Sequence, residues 1–307
     1  MSSLATSDPV LLDFAALVGD ADPISVRGNG TRWHVGGALA DAARVVEAPA
    51  GIVDYQPSEM IVVVRAGTPV AALHAALAAA GQTSALPDRG GTVGGAIAVG
   101  ENRLDRLGRG SVRDAVLQVR YVSAEGELVT GGGPVVKNVS GFNLPKLMVG
   151  SLGTLGLLAE VVLRTNPIPA VQRWVRAEKI DPRDLNDTLL RPGAVLWDGT
   201  SSWALIEGHE VDVDAELTRL DAITTLTVVD GPPPLPPHRW TLSPNDAAHI
   251  DRELDGEFVA SIGVGTVWAD QPQPPRLPDP VAAQIAERAK VLFDPTSRLN
   301  PGRVLGS

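Results

Sequence analysis

Three stretches of this 307-residue sequence place glycines where backbone amides could be pressed against a phosphate-bearing ligand. The first is Arg27-Gly28-Asn29-Gly30-Thr31-Arg32, directly after the short strand expected over Ile24-Ser25-Val26-Arg27. A diphosphate needs N–H groups converging on its oxygens and no side chains in the way. Glycine meets both needs because it tolerates positive φ and has no Cβ. Asn29 also tolerates left-handed geometry, and the Thr31 hydroxyl can donate to a phosphate oxygen. Two better-known nucleotide loops do not fit. A Rossmann fingerprint needs a third glycine where Trp33 stands and an amphipathic helix after it, and a Walker loop needs Gly-Lys-Ser/Thr, which occurs nowhere.

The second stretch, Gly90-Gly91-Thr92-Val93-Gly94-Gly95, sets four glycines around one threonine and continues into the small residues Ala96-Ile97-Ala98. Such a backbone suits a flat or extended ligand, and it equally suits a close-packed turn between two elements. The third, Gly150-Ser151-Leu152-Gly153-Thr154-Leu155-Gly156, leads into Leu157-Leu158. It could offer amides to a nucleotide, or be a helix C-cap followed by a bulged strand. Each stretch alone is compatible with an ordinary turn, so order and spacing carry more weight than any one loop.

The elements around these loops follow from pattern. Met60–Arg65 is apolar and β-branched, a buried strand. A helix is expected next, with Thr68 as N-cap, Pro69 at its first position and Gly81 closing it; Val70, Leu73, Leu77 and Ala80 then share one face. Ala115–Tyr121 and Glu127–Thr130 read as strands joined at Glu125-Gly126, and Leu155–Arg164 as a central strand before Pro167 and Pro169. After Ala170 the character changes. Val195–Trp197 and Trp203–Ile206 flank Asp198-Gly199-Thr200, a hairpin signature. Val213–Leu226 and Val281–Leu292 read as helices, and Pro232–Pro237 and Pro272–Pro280 as surface connections. The division expected is residues 1–168, 169–280 and 281–307.

Composition bounds the function. The net charge of −10 argues against nucleic acid as a partner. With no cysteine, this chain carries no disulfide, thiolate zinc site, cysteine nucleophile or iron–sulfur cluster of its own. The N-terminus lacks a basic segment followed by an apolar run, and no apolar stretch reaches 18 residues. The expectation is a cytoplasmic protein with no transmembrane segment, membrane-associated only through partners.

Taken together, the three glycine stretches resemble the FAD-binding domain of the p-cresol methylhydroxylase / vanillyl-alcohol oxidase superfamily. Gly110-Ser111-Val112-Arg113-Asp114 is similar to an element that family places between its second and third segments. Lys137-Asn138-Val139-Ser140-Gly141-Phe142-Asn143-Leu144-Pro145-Lys146-Leu147 resembles the run before the third segment in the glycolate oxidase and D-lactate dehydrogenase branch. Phe293-Asp294-Pro295 and Asn300-Pro301-Gly302-Arg303 resemble the tail of that branch. Trp197-Asp198-Gly199, Glu207-Gly208 and Trp240-Thr241-Leu242-Ser243-Pro244 extend the likeness to the small FAD-binding E subunits of bacterial glycolate oxidases. Nearly the whole chain is covered; the second-half motifs are individually weak.

The resemblance implies an α+β fold: a two-subdomain FAD-binding domain of the p-cresol methylhydroxylase type with a small α+β cap domain, and a tail, 281–307, returning to the flavin site. It implies that Arg27, Gly28, Asn29, Gly30, Thr31 and Arg32 hold the diphosphate, and that Gly90, Gly91, Thr92, Gly94 and Gly95 line diphosphate and flavin. Gly110 and Ser111 would contact the cofactor. Gly153, Thr154, Leu157 and Leu158 would serve the nucleotide end, and Asn300 and Arg303 would come near the flavin.

Two departures shape the functional reading. Where some relatives carry a histidine that bonds covalently to flavin, Thr31 stands, and there is no cysteine for the alternative attachment, so FAD is expected to be non-covalent. Catalytic relatives also carry a His-rich metal site in the cap; the five histidines here, His34, His74, His209, His238 and His249, have no metal-ligand spacing, and no metal is expected. His209 reads as a surface imidazole and His74 as a solvent-facing helical residue; no catalytic residue can be named. The leading reading is the FAD-bearing oxidoreductase subunit of a glycolate/D-lactate (2-hydroxy acid) oxidase-type complex. Its expected partners are a catalytic flavoprotein subunit and an iron–sulfur subunit. The alternatives are a stand-alone FAD-dependent dehydrogenase acting on a small 2-hydroxy acid or other alcohol, and a flavin-free scaffold.

Overall fold

The computed structural model describes residues 8–133, 143–274 and 279–304. The chain forms two compact units: Met1–Asn102, Ser111–Pro167 and Arg276–Ser307 in the first, Arg103–Gly110 and Ile168–Pro275 in the second. The octapeptide 103–110, expected inside a continuous first domain, is thus part of the second unit. Arg109, paired within the octapeptide with Asp105, ties it to Glu207 at 3.0 Å, and Leu107 packs against the core of that unit.

The first unit contains β1 (Ile24–Val26), β2 (Arg44–Val46), β3 (Ile52–Gln56), β4 (Ile61–Arg65), β5 (Gln82–Ser84), β6 (Val116–Val122), β7 (Leu128–Gly132) and β8 (Leu157–Pro167). β1 and β2 pair in parallel. The main sheet is antiparallel in the order β3-β4-β8-β6-β7, with β5 added on the far end of β8. β8 is central, as its near-continuous apolar run Leu157–Leu163 requires. Val161 and Leu163 enter one core, with the helices Val70–Ala78 and Val93–Val99; Leu157 and Ala159 enter another, with the helix Pro9–Val18. Glu160 interrupts the run, and it is tolerated there because Arg120 pairs with it at 3.2 Å.

The helix expected after β4 is Val70–Ala78, and Val70, Leu73 and Leu77 are fully buried. Thr68 does not cap it. Its hydroxyl instead donates to the Gly51 carbonyl (3.2 Å) and accepts the Gly51 N–H (2.8 Å). Ala80 lies past the helix end and is exposed, not on the buried face.

The second unit is a seven-stranded antiparallel sheet: β9 (Val171–Glu178), β10 (Pro192–Trp197), β11 (Ser201–Gly208), β12 (Leu226–Val229), β13 (His238–Thr241), β14 (Phe258–Ser261) and β15 (Thr266–Ala269). Their order is β12-β9-β11-β10-β14-β15-β13. Asp198 makes the β10–β11 turn, its Oδ1 accepting the N–H groups of Thr200 (2.9 Å) and Ser201 (2.7 Å). Alternate residues fill a core on one face, among them Val175, Val195, Ala204 and Ile206; Leu196, Trp203, Val259 and Trp268 cluster on the other. The helix expected over Val213–Leu226 is Glu210–Asp221. It ends earlier because Thr224-Thr225-Leu226-Thr227-Val228-Val229 is β-branched and enters β12.

Candidate functional site

All three glycine stretches meet at one cleft of the first unit. Two adjoining hollows share Gly28, Asn29, Thr92, Gly95, Leu152 and Asn300 in their walls. Arg27, Gly94, Gly153, Leu157 and Leu158 line the first hollow; Gly30, Thr31, Arg32, Gly91 and Arg303 line the second.

Each loop is placed by a definite contact. β1 delivers the first loop, and the Asn29 side-chain amide donates to the Gly90 carbonyl at 2.8 Å, joining the first loop to the second. Thr92 caps the helix Val93–Val99 by accepting the Gly95 N–H at 3.2 Å. Its side chain packs against Gly28, where a Cβ would fall 2.7 Å from Thr92 Cγ2. The two loops approach too closely there for any larger residue. The opening of that helix at Thr92 was not part of the sequence expectation.

The third loop leaves the helix Leu144–Met148, which Asn143 caps. The run Lys137–Phe142, which carried part of the family resemblance, lies outside the described residues. The tail then completes the wall. Ile24 N–H donates to Arg298 and Asn300 N–H donates to Ile24, both at 2.8 Å, so the tail runs beside β1. The Ser25 hydroxyl donates to the Asn300 side-chain carbonyl.

The cleft is cationic at one end. Arg27 and Arg303 set their guanidinium groups 5.3 and 4.8 Å from the ring of Trp33, which lines the second hollow. Burial pulls the Arg303 pKa below its ordinary value. Arg32 pairs with Glu101 through Nε, yet its Nη2 is buried and has no hydrogen-bond partner. Small residues around an extended hollow, with an unpaired guanidinium N–H in the wall, fit a flat ligand carrying anionic oxygens, as FAD does.

Not every expected residue lines this cleft. Gly90 enters through its carbonyl, as above. Thr154 is buried and donates its hydroxyl to the Ser151 carbonyl at 2.8 Å. Ser111 caps the turn Val112–Ala115 and donates to Asp114 at 2.6 Å, while Gly110 (φ +82) ends the short helix Arg106–Arg109 of the second unit. Sequence reasoning missed Glu47, Ala48, Ala66 and Gly67, which line the first hollow. Gly67, two residues after β4, was the available signal: a Cβ there would fall 2.9 Å from the Pro49 carbonyl oxygen.

The histidines lie apart from this chemistry. His34 and His209 are exposed. His74 is not solvent-facing: it is half-buried, with Nε2 2.9 Å from Ser84 Oγ. Among the described residues no three His, Cys, Asp or Glu side chains could hold a metal ion, and no helix is long and apolar enough to cross a membrane.

Residues 13–132 match the family model of the FAD binding domain. The chain is homologous to glycolate oxidase subunits and to D-lactate dehydrogenases. It is 33% identical over 208 residues to the glycolate oxidase subunit GlcE of Escherichia coli (strain K12), covering 64% of this chain and 59% of that protein. It is 37% identical over 92 residues to the glycolate oxidase subunit GlcD of Bacillus subtilis (strain 168), covering 29% of this chain and 20% of that one. With a D-lactate dehydrogenase of Archaeoglobus fulgidus the identity is 40% over 76 residues, 25% of this chain and 17% of the relative. The matches therefore span about three-fifths of the first relative and a fifth or less of the other two. Among solved structures, alkyldihydroxyacetonephosphate synthase superposes with a TM-score of 0.63 at 13% identity, over 91% of this chain and 71% of that one. The fold is the α+β, p-cresol methylhydroxylase-type fold that the sequence motifs resemble.

Proposed function

We propose that the cleft binds FAD non-covalently and that the chain is the flavin-bearing oxidoreductase subunit of a complex oxidising a small 2-hydroxy acid, of the glycolate/D-lactate type. The observation that carries this reading is the convergence of three separate glycine stretches and the tail residue Asn300 on one cleft. Bound FAD supplies two-electron redox chemistry, and the chain holds and orients it. Gly28–Arg32 with Gly91, Thr92, Gly94 and Gly95 would hold the diphosphate and flavin, with Leu157 and Leu158 offering backbone groups to adenine. Asn300 and Arg303 would close the flavin end. Neither Gly110 nor Ser111 is needed for that assignment.

Non-covalent binding is supported by the walls themselves: among the described residues no histidine lines either hollow, and the sequence has no cysteine to form a thioether. A role inside a complex is supported by the homology to proteins named as oxidase subunits. The partners expected on this reading are a catalytic flavoprotein and an iron–sulfur protein.

The test is the visible spectrum of the purified chain. A flavin band that passes wholly into the supernatant on acid precipitation supports non-covalent FAD. A colourless protein that neither binds added FAD nor gains melting temperature from it refutes the reading. Rapid bleaching near ~450 nm by glycolate or D-lactate without partners would favour a self-sufficient dehydrogenase.

A further inference from the structure

Glu101 stands outside all three glycine stretches, two residues after the helix Val93–Val99, where Gly100 (φ +71) turns the chain. It is buried, with only 6% of its surface exposed. One carboxylate oxygen accepts Nε–H of Arg32; the other lies 3.2 Å from a terminal nitrogen of Arg89, which is half-exposed. Arg32 Nη1 is 3.3 Å from Thr31 Oγ1, and Nη2 alone is left buried without an acceptor. A guanidinium is planar and rigid, so fixing its Nε–H fixes the plane and aim of the remaining N–H groups. A buried donor left unpaired is costly unless something entering the cleft supplies the acceptor.

We propose that Glu101 is a positioning residue: it aims Arg32 so that Nη2 donates to an anionic oxygen of the ligand, and it steadies Arg89 beside the second glycine stretch. This rests on the reading of the cleft as an FAD site, in which the anionic oxygens are those of the diphosphate. The charges make the idea discriminating. Two arginines and one carboxylate sum to +1, so removing Glu101 makes the cleft more positive. Coulomb attraction alone would then tighten binding of an anion. Loss of aim weakens it.

The experiment titrates the apo-protein with FAD and with riboflavin, which lacks phosphate, for wild type, Glu101→Gln, Glu101→Asp, Arg32→Ala and the double variant Glu101→Gln/Arg32→Ala. Expected is a loss of FAD affinity in Glu101→Gln of roughly ten- to a hundredfold, with riboflavin unchanged and Glu101→Asp intermediate. The double variant should bind FAD no more weakly than Arg32→Ala, because both changes remove one interaction. Equal or tighter FAD binding by Glu101→Gln overturns the proposal, as does an equal loss for FAD and riboflavin. If Glu101→Gln does not fold, Glu101→Asp decides alone: a loss selective for FAD supports the proposal and a parallel loss overturns it. A wild-type chain that binds no FAD removes the underlying reading as well, an outcome distinct from a wild type that binds while its Glu101 variants are unaffected.

Discussion

Asp294 accepts the backbone N–H of Leu299 at 2.8 Å, one residue before Asn300 joins the wall of the cleft. The same fully buried carboxylate accepts the N–H of Arg298 (3.0 Å) and Lys290 Nζ (2.5 Å). Arg298 in turn donates to the carbonyls of Val18, Asp22 and Ala124, each at 3.0 Å. The tail is therefore clamped on the first unit by two buried ionic groups just upstream of the residue it presents.

Replacing Asp294 by Ala should cost about 3 kcal/mol of stability, since it removes a buried carboxylate paired with Lys290 and leaves two buried backbone donors without their acceptor. It should also weaken FAD binding, because Asn300 loses its anchor. Urea unfolding and FAD titration of Asp294→Ala and Asp294→Asn check both. Unchanged values in both assays would remove the tail from the account of the site.

The Gly94 position separates packing from ligand contact. A Cβ there would lie 2.8 Å from the Ala66 Cβ and 3.1 Å from its carbonyl oxygen, so Gly94 is required by the seating of the helix Val93–Val99 on the end of β4. Gly94→Val should lower stability by roughly 1–3 kcal/mol through overpacking and reduce FAD occupancy with it. Gly30→Val meets only the flexible Arg27 side chain, at 3.1 Å, although its φ of +72° disfavours any Cβ. Its effect on melting temperature should be the smaller of the two. Equal melting temperatures for the two variants would contradict this ranking.

Much of the site was legible because its determinants are local in sequence. Gly28-Asn29-Gly30 and the Gly90–Gly95 stretch announce a close backbone approach by composition alone, and the hairpin at Asp198-Gly199-Thr200 declares its own turn. Other features depend on distant parts of the chain. Ser25 and Asn300 are 275 positions apart, and only the motif resemblance of the tail suggested that it returns. Glu101 and Glu47 have no local signature: a lone glutamate in a loop reads as a solvated charge until the fold brings an arginine or a hollow to it. The same limit misplaced Thr68, whose threonine–proline pairing is a standard helix start but whose hydroxyl is taken by Gly51. It also misplaced 103–110, whose allegiance to the second unit rests on Arg109 meeting Glu207 nearly a hundred residues away.

That ion cluster predicts an acid dependence. Burial works to raise the Asp105 pKa, but hydrogen bonds and charge from Arg103 and Arg109 outweigh it and hold the carboxyl below its ordinary 3.8. A folded-state pKa below the unfolded one means that Asp105 contributes its full stability above the unfolded value. That contribution is lost as pH falls through the folded one. The stability difference between wild type and Asp105→Asn should therefore be large at neutral pH and shrink below about pH 4. Urea midpoints of both proteins across pH 3 to 7 measure it, and a difference that stays constant across that range would rule the linkage out.

Arg303 donates to the carbonyls of Val35 (3.1 Å) and Gly37 while its guanidinium lies 4.8 Å from the Trp33 ring. Two functions are combined in one side chain: Nη1 satisfies two carbonyls just beyond the first loop, and the flat cation covers an aromatic wall of the cleft. Lysine can supply a charge and N–H donors, but neither the planar stack nor donors held in a rigid plane beside it. Arg303→Lys should therefore behave nearly as Arg303→Ala, each weakening FAD binding by about tenfold, equivalent to about 1.4 kcal/mol. In a Trp33→Phe background the stacking share is reduced while the carbonyl share remains, so the loss on Arg303→Ala should shrink by about 0.5–1 kcal/mol. FAD titration of the four proteins of that cycle measures the coupling. A coupling of zero would assign Arg303 to the carbonyls alone, and full retention of affinity in Arg303→Lys would reduce its role to charge.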